Sequence, residues 1–168
     1  MTLTLRVPKA LDFFAVYTLA AQQAPHFLDD FHDITPRYLE RILSDPASRI
    51  IEQKAHPVGV VWYDPVLADL HAEIHFLLQP CCWKQALREG LPAQIVSDVF
   101  SRLGVDKLLA YPMHTQTTAL TLLRRTGFYE HNPWRNHTRQ HGRKVDVIFF
   151  ELKKNYWKKI SDKQAYNV

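Results

Sequence analysis

A change of pattern near residue 79 is the feature of this sequence that most limits its possible folds. Three apolar segments precede it, running from Arg49 to Gln53, from Val58 to Tyr63 and from Leu70 to Leu78. The dipeptides His56-Pro57 and Asp64-Pro65 between them are turn signals, so this part predicts an antiparallel meander. After residue 79, segments with helical periodicity alternate with short apolar strands. A chain with this order is expected to form one mixed sheet with helices packed on it.

The remaining elements follow from the same periodicities and from helix start and stop signals. Helices are predicted from Ala10 to Gln23, from Thr35-Pro36 to Asp45-Pro46, from Gln94 to Leu103 and from Thr115 to Thr126. Further strands are predicted at Leu3 to Val7, Lys107 to Tyr111, Phe128 to His131 and Val145 to Leu152, with a polar loop over Asn132 to Lys144. We therefore expect an α/β (α+β) fold: a mixed, mostly antiparallel sheet of about seven strands with about four helices on both faces.

Composition and length place the chain among ordinary globular proteins. Its 168 residues predict a single domain over 1–168, with a basic C-terminal tail from about residue 153. A content of 46% apolar and 23% charged residues predicts a folded chain and argues against disorder. No apolar run reaches the roughly 18 residues needed to cross a membrane. The two cysteines, Cys81 and Cys82, are adjacent, so a disulfide framework is not expected and a cytoplasmic location is favoured.

The stretch LLQPCCWKQALREGLP, Leu77 to Pro92, has the pattern of a turn between a strand and a helix. Such turns often hold a phosphate on helix-terminal N–H groups, and Lys84 and Arg88 would add attraction for an anion. The first turn contains no glycine, although phosphate-binding loops usually have several. Gly90 and Pro92 predict that the helix begins late, near Pro92, because a proline inside a helix is costly.

Taken together, these segments resemble the GNAT superfamily of N-acetyltransferases. Residues Pro80 to Leu87 occupy the place of the family's loop P-x-x-W-G-[RK]-G-hydrophobic, with Lys84 and Ala86 at its two glycine positions. The segment ALTLLRRTGF matches the family's last core helix and the strand after it, and Gln116 stands where many members have Asn. The segments IHFLLQP and GRKVDVIFFEL also look weakly like small GNAT-like proteins of tailed phages, which would imply a virion-associated role.

The resemblance implies acetyl-CoA as cosubstrate, bound between strands four and five. It places the pantetheine on the strand-four backbone and the pyrophosphate at the start of the third helix. The cofactor-binding residues implied are Phe76, Leu77, Leu78, Trp83, Lys84, Gln85, Ala86, Leu87, Arg88 and Gln116.

Three residues are candidates for the proton transfers of such a reaction. Glu73 and His75 alternate onto one face of strand four, where the family often carries a general base. The family's usual acid, a tyrosine, is replaced by Leu123, and Tyr111 or Tyr129 could substitute for it. The plainer alternatives stay open: Glu73 and His75 as polar residues on a partly open face, and the tyrosines as packing aromatics with a wet hydroxyl.

Two functions remain open at this point. The first is an N-acyltransferase acting on an unidentified amine, small molecule or protein. The second is a catalytically degenerate GNAT-fold binding or assembly protein. The 132–144 loop is a candidate contact for a substrate or protein partner. Its histidines predict a solvated basic loop rather than a metal site, and nucleic acid is not expected as a partner of the short basic tail.

Overall fold

The computed structural model describes residues 2–24 and 35–165, which contain nine strands and six α-helices. The strands are β1 (Leu3–Arg6), β2 (Arg49–Gln53), β3 (His56–Leu67), β4 (His71–Leu78), β5 (Lys107–Ala110), β6 (Tyr129–Glu130), β7 (Trp134–Gln140), β8 (Arg143–Val147) and β9 (Phe150–Lys153). The helices are α1 (Phe13–Gln23), α2 (Pro36–Ser44), α3 (Trp83–Arg88), α4 (Leu91–Arg102), α5 (Thr117–Thr126) and α6 (Lys154–Ala165). No helix of the described residues is long and apolar enough to cross a membrane.

Seven of the strands form one sheet in the order β1-β2-β3-β4-β5-β9-β6. Its neighbours are antiparallel except β4 and β5, which run parallel. The prediction of a mixed, mostly antiparallel sheet of about seven strands is confirmed.

Helices cover both faces of this sheet, as predicted. On one face, residues of α1 and α2 such as Leu19 and Leu39 pack with Val60 of β3. On the other face, Phe100 of α4, Leu123 of α5 and other buried side chains pack with strand residues such as Leu108. The two layers divide the side chains of β4, because Leu77 belongs to the first cluster and Leu78 to the second.

Both turn predictions in the meander are wrong in position. The turn between β2 and β3 is Lys54-Ala55, whose φ angles of 51° and 63° are left-handed, and not His56-Pro57. Asp64-Pro65 is a bulge inside β3, since the pairing with β4 shifts register between Tyr63 and Val66. Proline has no N–H to give to the ladder, so it is tolerated at such a bulge and the strand continues.

The region after β6 differs most from the prediction. The expected loop 132–144 is mostly strand. Strands β7 and β8 form a separate two-stranded sheet, which we call the hairpin. The expected strand Val145 to Leu152 is interrupted at Ile148 and Phe149, between β8 and β9. The predicted basic C-terminal tail is helix α6, and its Trp157 is only 6% exposed.

The prediction for the helix after β4 is right for one helix and wrong for another. Helix α4 starts at Leu91 with Pro92 in its first turn, as Gly90 and Pro92 indicated. A short helix, α3, nevertheless starts at Trp83, directly after a 3-10 turn over Pro80–Cys82. Gly90 joins the two with a left-handed φ of 67°, a conformation that glycine adopts without a steric penalty. The start of α3 therefore stays beside the end of β4.

Candidate active site

Strands β4 and β5 are paired at one end and unpaired at the other, which leaves one edge of β4 without a neighbouring strand. They pair only at His71 with Lys107, Ala72 with Leu108, and Glu73 with Leu109. The rest of β4, residues 74–78, pairs with β3 but has no β5 partner among the described residues. We call the space beside this part of β4 the gap, and Glu73 lies where it opens.

The main chain of β4 directs alternate amide groups into the gap. The N–H of Gln79 donates to the carbonyl of Val58 at 2.9 Å, which fixes the hydrogen-bonded positions of the β3–β4 ladder. Since these positions alternate along an antiparallel pair, the amides of Phe76 and Leu78 face away from β3. The side chain of Gln23 donates to the Leu78 carbonyl at 2.8 Å, in agreement with this orientation.

Behind the gap, β3 and β4 approach each other closely. A Cβ atom added to Gly59 would lie 2.5 Å from the carbonyl oxygen of Leu77, so a larger residue could not keep this backbone. Gly59 lies opposite Leu78 in the register. The edge of β4 that lines the gap is thus held in place from its other side.

Glu73 and His75 lie next to each other on the face of β4 that carries α1 and α2. Nε2 of His75 is 3.4 Å from Oε1 of Glu73 and 2.9 Å from the backbone oxygen of Asp64. Because a carbonyl oxygen can only accept, Nε2 carries the hydrogen and donates it. The His75 ring also stacks on Trp62, with centroids 5.2 Å apart, and the Trp62 indole donates to the Tyr38 hydroxyl at 3.1 Å. The imidazole is therefore fixed in one orientation.

Burial shifts the acidity of both side chains toward their neutral forms. It raises the pKa of Glu73 to about 7, and the negative charge of Asp64 adds to the rise. Burial lowers the pKa of His75. Near neutral pH, Glu73 can therefore both accept and release a proton, while His75 is neutral.

Tyr111 follows β5 and lies near the same carboxylate. Its ring stacks on Phe149 at 5.2 Å and contacts Trp134 at 5.6 Å. Burial raises the pKa of the Tyr111 hydroxyl, and the charges of Glu73 and Glu151 raise it further. The structure thus brings Glu73, His75 and Tyr111 into one region, whereas Leu123, at the position of the family's usual acid, is buried in the core.

The turn and short helix after β4 contain six of the predicted cofactor-binding residues, Trp83 to Arg88, and their geometry removes one objection to an anion there. The ring of Trp83 contacts Phe76 at 5.2 Å, and Lys84 and Arg88 are exposed. Ala86 is fully buried, with its side chain in the core. Neither Lys84 nor Ala86 has a positive φ, so the loss of the family's glycines causes no backbone strain at these positions.

Two predicted side chains already have protein partners. The amide of Gln85 accepts from Gln53 at 2.7 Å and donates to Glu89 at 2.9 Å. The side-chain oxygen of Gln116 accepts from the N–H of Met113 at 3.0 Å, just before α5. Binding of a cofactor at Gln85 therefore depends on its backbone. Leu87 is half-buried in α3, so its predicted role in cofactor binding is also a role for its main chain.

Several residues of the site are not evident from the sequence. The backbone oxygen of Asp64 reaches His75 only because β3 bulges there, and Gln23 reaches Leu78 from a helix distant in sequence. Phe149, in the connection between β8 and β9, and Trp134 of the unpredicted hairpin pack on Tyr111. Pro65, which follows Asp64, is the feature of the sequence from which the bulge could have been predicted. Among the described residues, no group of three or more His, Cys, Asp or Glu side chains could hold a metal ion.

No protein-family model and no curated protein sequence matches this chain. Solved structures do match it. The spermidine N-acetyltransferase from Vibrio cholerae in complex with CoA and spermine has a TM-score of 0.78 at 18% identity, covering 93% of this chain and 98% of that one. A ribosomal-protein-alanine N-acetyltransferase from Brucella melitensis has a TM-score of 0.73 at 17% identity, covering 89% and 99%. A GNAT-family acetyltransferase from Bacillus anthracis has a TM-score of 0.75 at 11% identity, covering 92% and 96%. The chain has the GNAT fold, as its sequence predicted.

Proposed function

We propose that this protein is an acetyl-CoA-dependent N-acyltransferase that acts on an amine. The observation that carries the proposal is the gap between β4 and β5, with Glu73 where it opens and an unpaired strand edge along its side. Support comes from the similar fold of the Vibrio cholerae spermidine N-acetyltransferase, whose structure contains CoA and spermine.

The residues around the gap fit an extended, anionic cosubstrate. The amides of Phe76 and Leu78 would bond the amide-containing pantetheine arm in the manner of an added strand. The first N–H groups of α3, at Trp83 and Lys84, would face the pyrophosphate, and the exposed side chains of Lys84 and Arg88 would add positive charge. Acetyl-CoA, when bound, supplies an activated acetyl group as a thioester.

We assign the general base to Glu73 rather than to His75. Its carboxylate has a pKa of about 7, which suits removal of a proton from an amine near neutral pH. Nε2 of His75 already holds a hydrogen and directs it to Asp64 and toward Glu73, so this atom orients the base. The main-chain N–H groups of β4 facing the gap would polarise the thioester carbonyl.

We assign the general acid to Tyr111. The factors that raise its pKa keep the hydroxyl protonated at neutral pH, so it can donate a proton to the departing thiolate. Tyr111 does not occupy the family's usual position for the acid, which is Leu123 in this chain. The assignment rests instead on its place near Glu73.

One observation favours the alternative, a GNAT-fold binding or assembly protein without chemistry. The position of the family's usual acid is occupied by Leu123, which is only 4% exposed and cannot donate a proton. A measurement of acetyl-CoA binding distinguishes the enzyme from this alternative.

Acetyl-CoA is expected to raise the melting temperature of the protein. At about 100 times its Kd it should stabilise the fold by about 2.7 kcal/mol, or about 5–10 °C for a domain of this size. The double variant K84Q/R88Q should lose part of this shift. The matched control K158Q/K159Q should keep it, since α6 leaves the sheet at the Lys107 end of β5, opposite the Leu78 end of β4. No shift with millimolar acetyl-CoA would rule out the enzyme and favour the alternative.

A further inference from the structure

The hairpin of β7 and β8 forms a small unit of its own, and apart from Trp134, whose ring contacts Tyr111, it has no part in the proposed reaction. It is joined to the rest of the chain beside β5: Met113 bridges Val147, and the N–H of His114 donates to the Asp146 carbonyl at 3.0 Å. Its residues 134–144 read WRNHTRQHGRK, a segment without an acidic or aliphatic side chain. An isolated two-stranded sheet is only marginally stable, and no side chain of β7 is fully buried.

The charged side chains of the hairpin are four cations, Arg135, Arg139, Arg143 and Lys144, and one carboxylate, Asp146, whose Oδ1 accepts from the Asn136 N–H at 2.8 Å. All four cations are exposed. Among the described side chains, those of residues 2–24 and 35–161, no carboxylate lies within ion-pair distance of these four cations, although eight other Lys or Arg ion pairs form there. The charges of these four side chains are therefore not paired with a described carboxylate.

Two of these cations oppose each other directly. Arg139 and Lys144 are partners in the register of the hairpin. Like charges at directly opposite positions destabilise an antiparallel pair. The hairpin therefore carries a repulsion that a bound anion would relieve.

The other exposed side chains of the hairpin are suited to hydrogen bonding and stacking. Asn136 and His137 are exposed beside the cations, and Trp134 at the base is 43% exposed. Arginine, asparagine and histidine contact phosphates and base edges, aromatic rings stack on bases, and a two-stranded ribbon fits a nucleic-acid groove.

We propose that the hairpin of β7 and β8 is a nucleic-acid-binding ribbon whose main contacts are to the phosphodiester backbone. A solvated loop, as the sequence predicted, would hold the cations without order, whereas the ribbon places Arg139 and Lys144 directly opposite each other on its two strands. An acidic protein would satisfy the charge as well. Protein interfaces, however, depend on apolar anchors at their centre, and apart from Trp134 this segment offers none.

Fluorescence anisotropy with 20-nucleotide fluorescein-labelled RNA and DNA, single-stranded and duplex, tests the proposal without acetyl-CoA. We expect binding at 50 mM salt whose affinity falls with salt, with a log–log slope of about −3 for four phosphate contacts. The variant R135Q/R139Q/K144Q should lose at least about tenfold in affinity, and its slope should shrink by about 2. The control K154Q/K158Q/K159Q makes the same change of charge on α6 and should stay within about twofold of the wild type.

Stability measurements show whether the variant is folded. Because the substitutions remove a like-charge pair, the melting temperature of R135Q/R139Q/K144Q should be equal to or above that of the wild type. Equal losses in the two triple variants would overturn the proposal, as would the absence of binding to every oligonucleotide at 10 µM protein. A labelled polyglutamate of equal length that binds as tightly as RNA or DNA would overturn it in favour of an acidic protein.

Discussion

Replacing Glu73 with glutamine is expected to lower kcat/KM by about 100- to 10,000-fold, the usual contribution of a general base. The side chain keeps its shape and loses its ability to accept a proton. Acetyl-CoA binding should be unchanged, because the implied contacts of the cosubstrate are to β4 backbone and α3. Steady-state assays of thiol release, with the thermal shift as a binding control, measure the two quantities separately.

The pH dependence of the same variant gives a second measurement. In the wild type, kcat/KM should rise with pH around the pKa of Glu73, about 7. Burial raises this folded-state pKa above the unfolded value, so ionisation of Glu73 costs stability as pH increases from about 4.5 to about 7. The stabilisation of Glu73→Gln relative to the wild type should therefore be larger at pH 8 than at pH 5.

His75→Gln is the matched control for these measurements. If His75 only orients Glu73, its variant should lose less activity than Glu73→Gln and keep a rise of kcat/KM with pH. Normal turnover in Glu73→Gln would remove Glu73 as the base. A complete loss of the pH dependence in His75→Gln alone would assign that role to the imidazole.

Replacing Trp157 with alanine is expected to destabilise the protein by about 3–5 kcal/mol, the range for large aromatic residues removed from a core. Trp157 is 6% exposed and belongs to the main core cluster, although it lies in a segment rich in lysine. At about 2–4 °C per kcal/mol, the melting temperature should fall by about 6–20 °C. Thermal unfolding followed by circular dichroism measures the change.

Its neighbour Tyr156 provides the control, since its side chain is 51% exposed. Tyr156→Ala should change the free energy of unfolding by less than about 1 kcal/mol. Similar small effects of both substitutions would mean that α6 does not pack on the core in solution.

The sheet was predictable because its central strands are strongly apolar, although the prolines that suggested turns lie within β3. The alternation along β4 also placed Glu73 and His75 on one side correctly. The hairpin was missed because β7 is almost entirely polar, so no alternation distinguishes it from a loop. Helix α6 was missed because its apolar residues Trp157 and Ile160 are few among lysines, and only contact with the core reveals their role.

The chemistry of the site was less accessible from sequence than the fold. The raised pKa of Glu73 depends on how deeply its neighbours bury it, and no local pattern reports that quantity. The hydrogen bond between His75 and the Asp64 backbone depends on a bulge that the sequence suggested as a turn. The environment of Tyr111 depends on Phe149, which lies between β8 and β9, and on Trp134, which reaches it from the unpredicted hairpin.

The close approach at Gly59 has a consequence for how the gap would be filled. Because β3 contacts β4 closely at Gly59, the edge of β4 that lines the gap is rigid before any ligand binds. Amide hydrogen exchange should show this as an alternation: slow at His75 and Leu77, which bond to β3, and fast at Phe76 and Leu78. A ligand that adds to the strand should then slow exchange at Phe76 and Leu78 alone, with little entropy lost in ordering the protein.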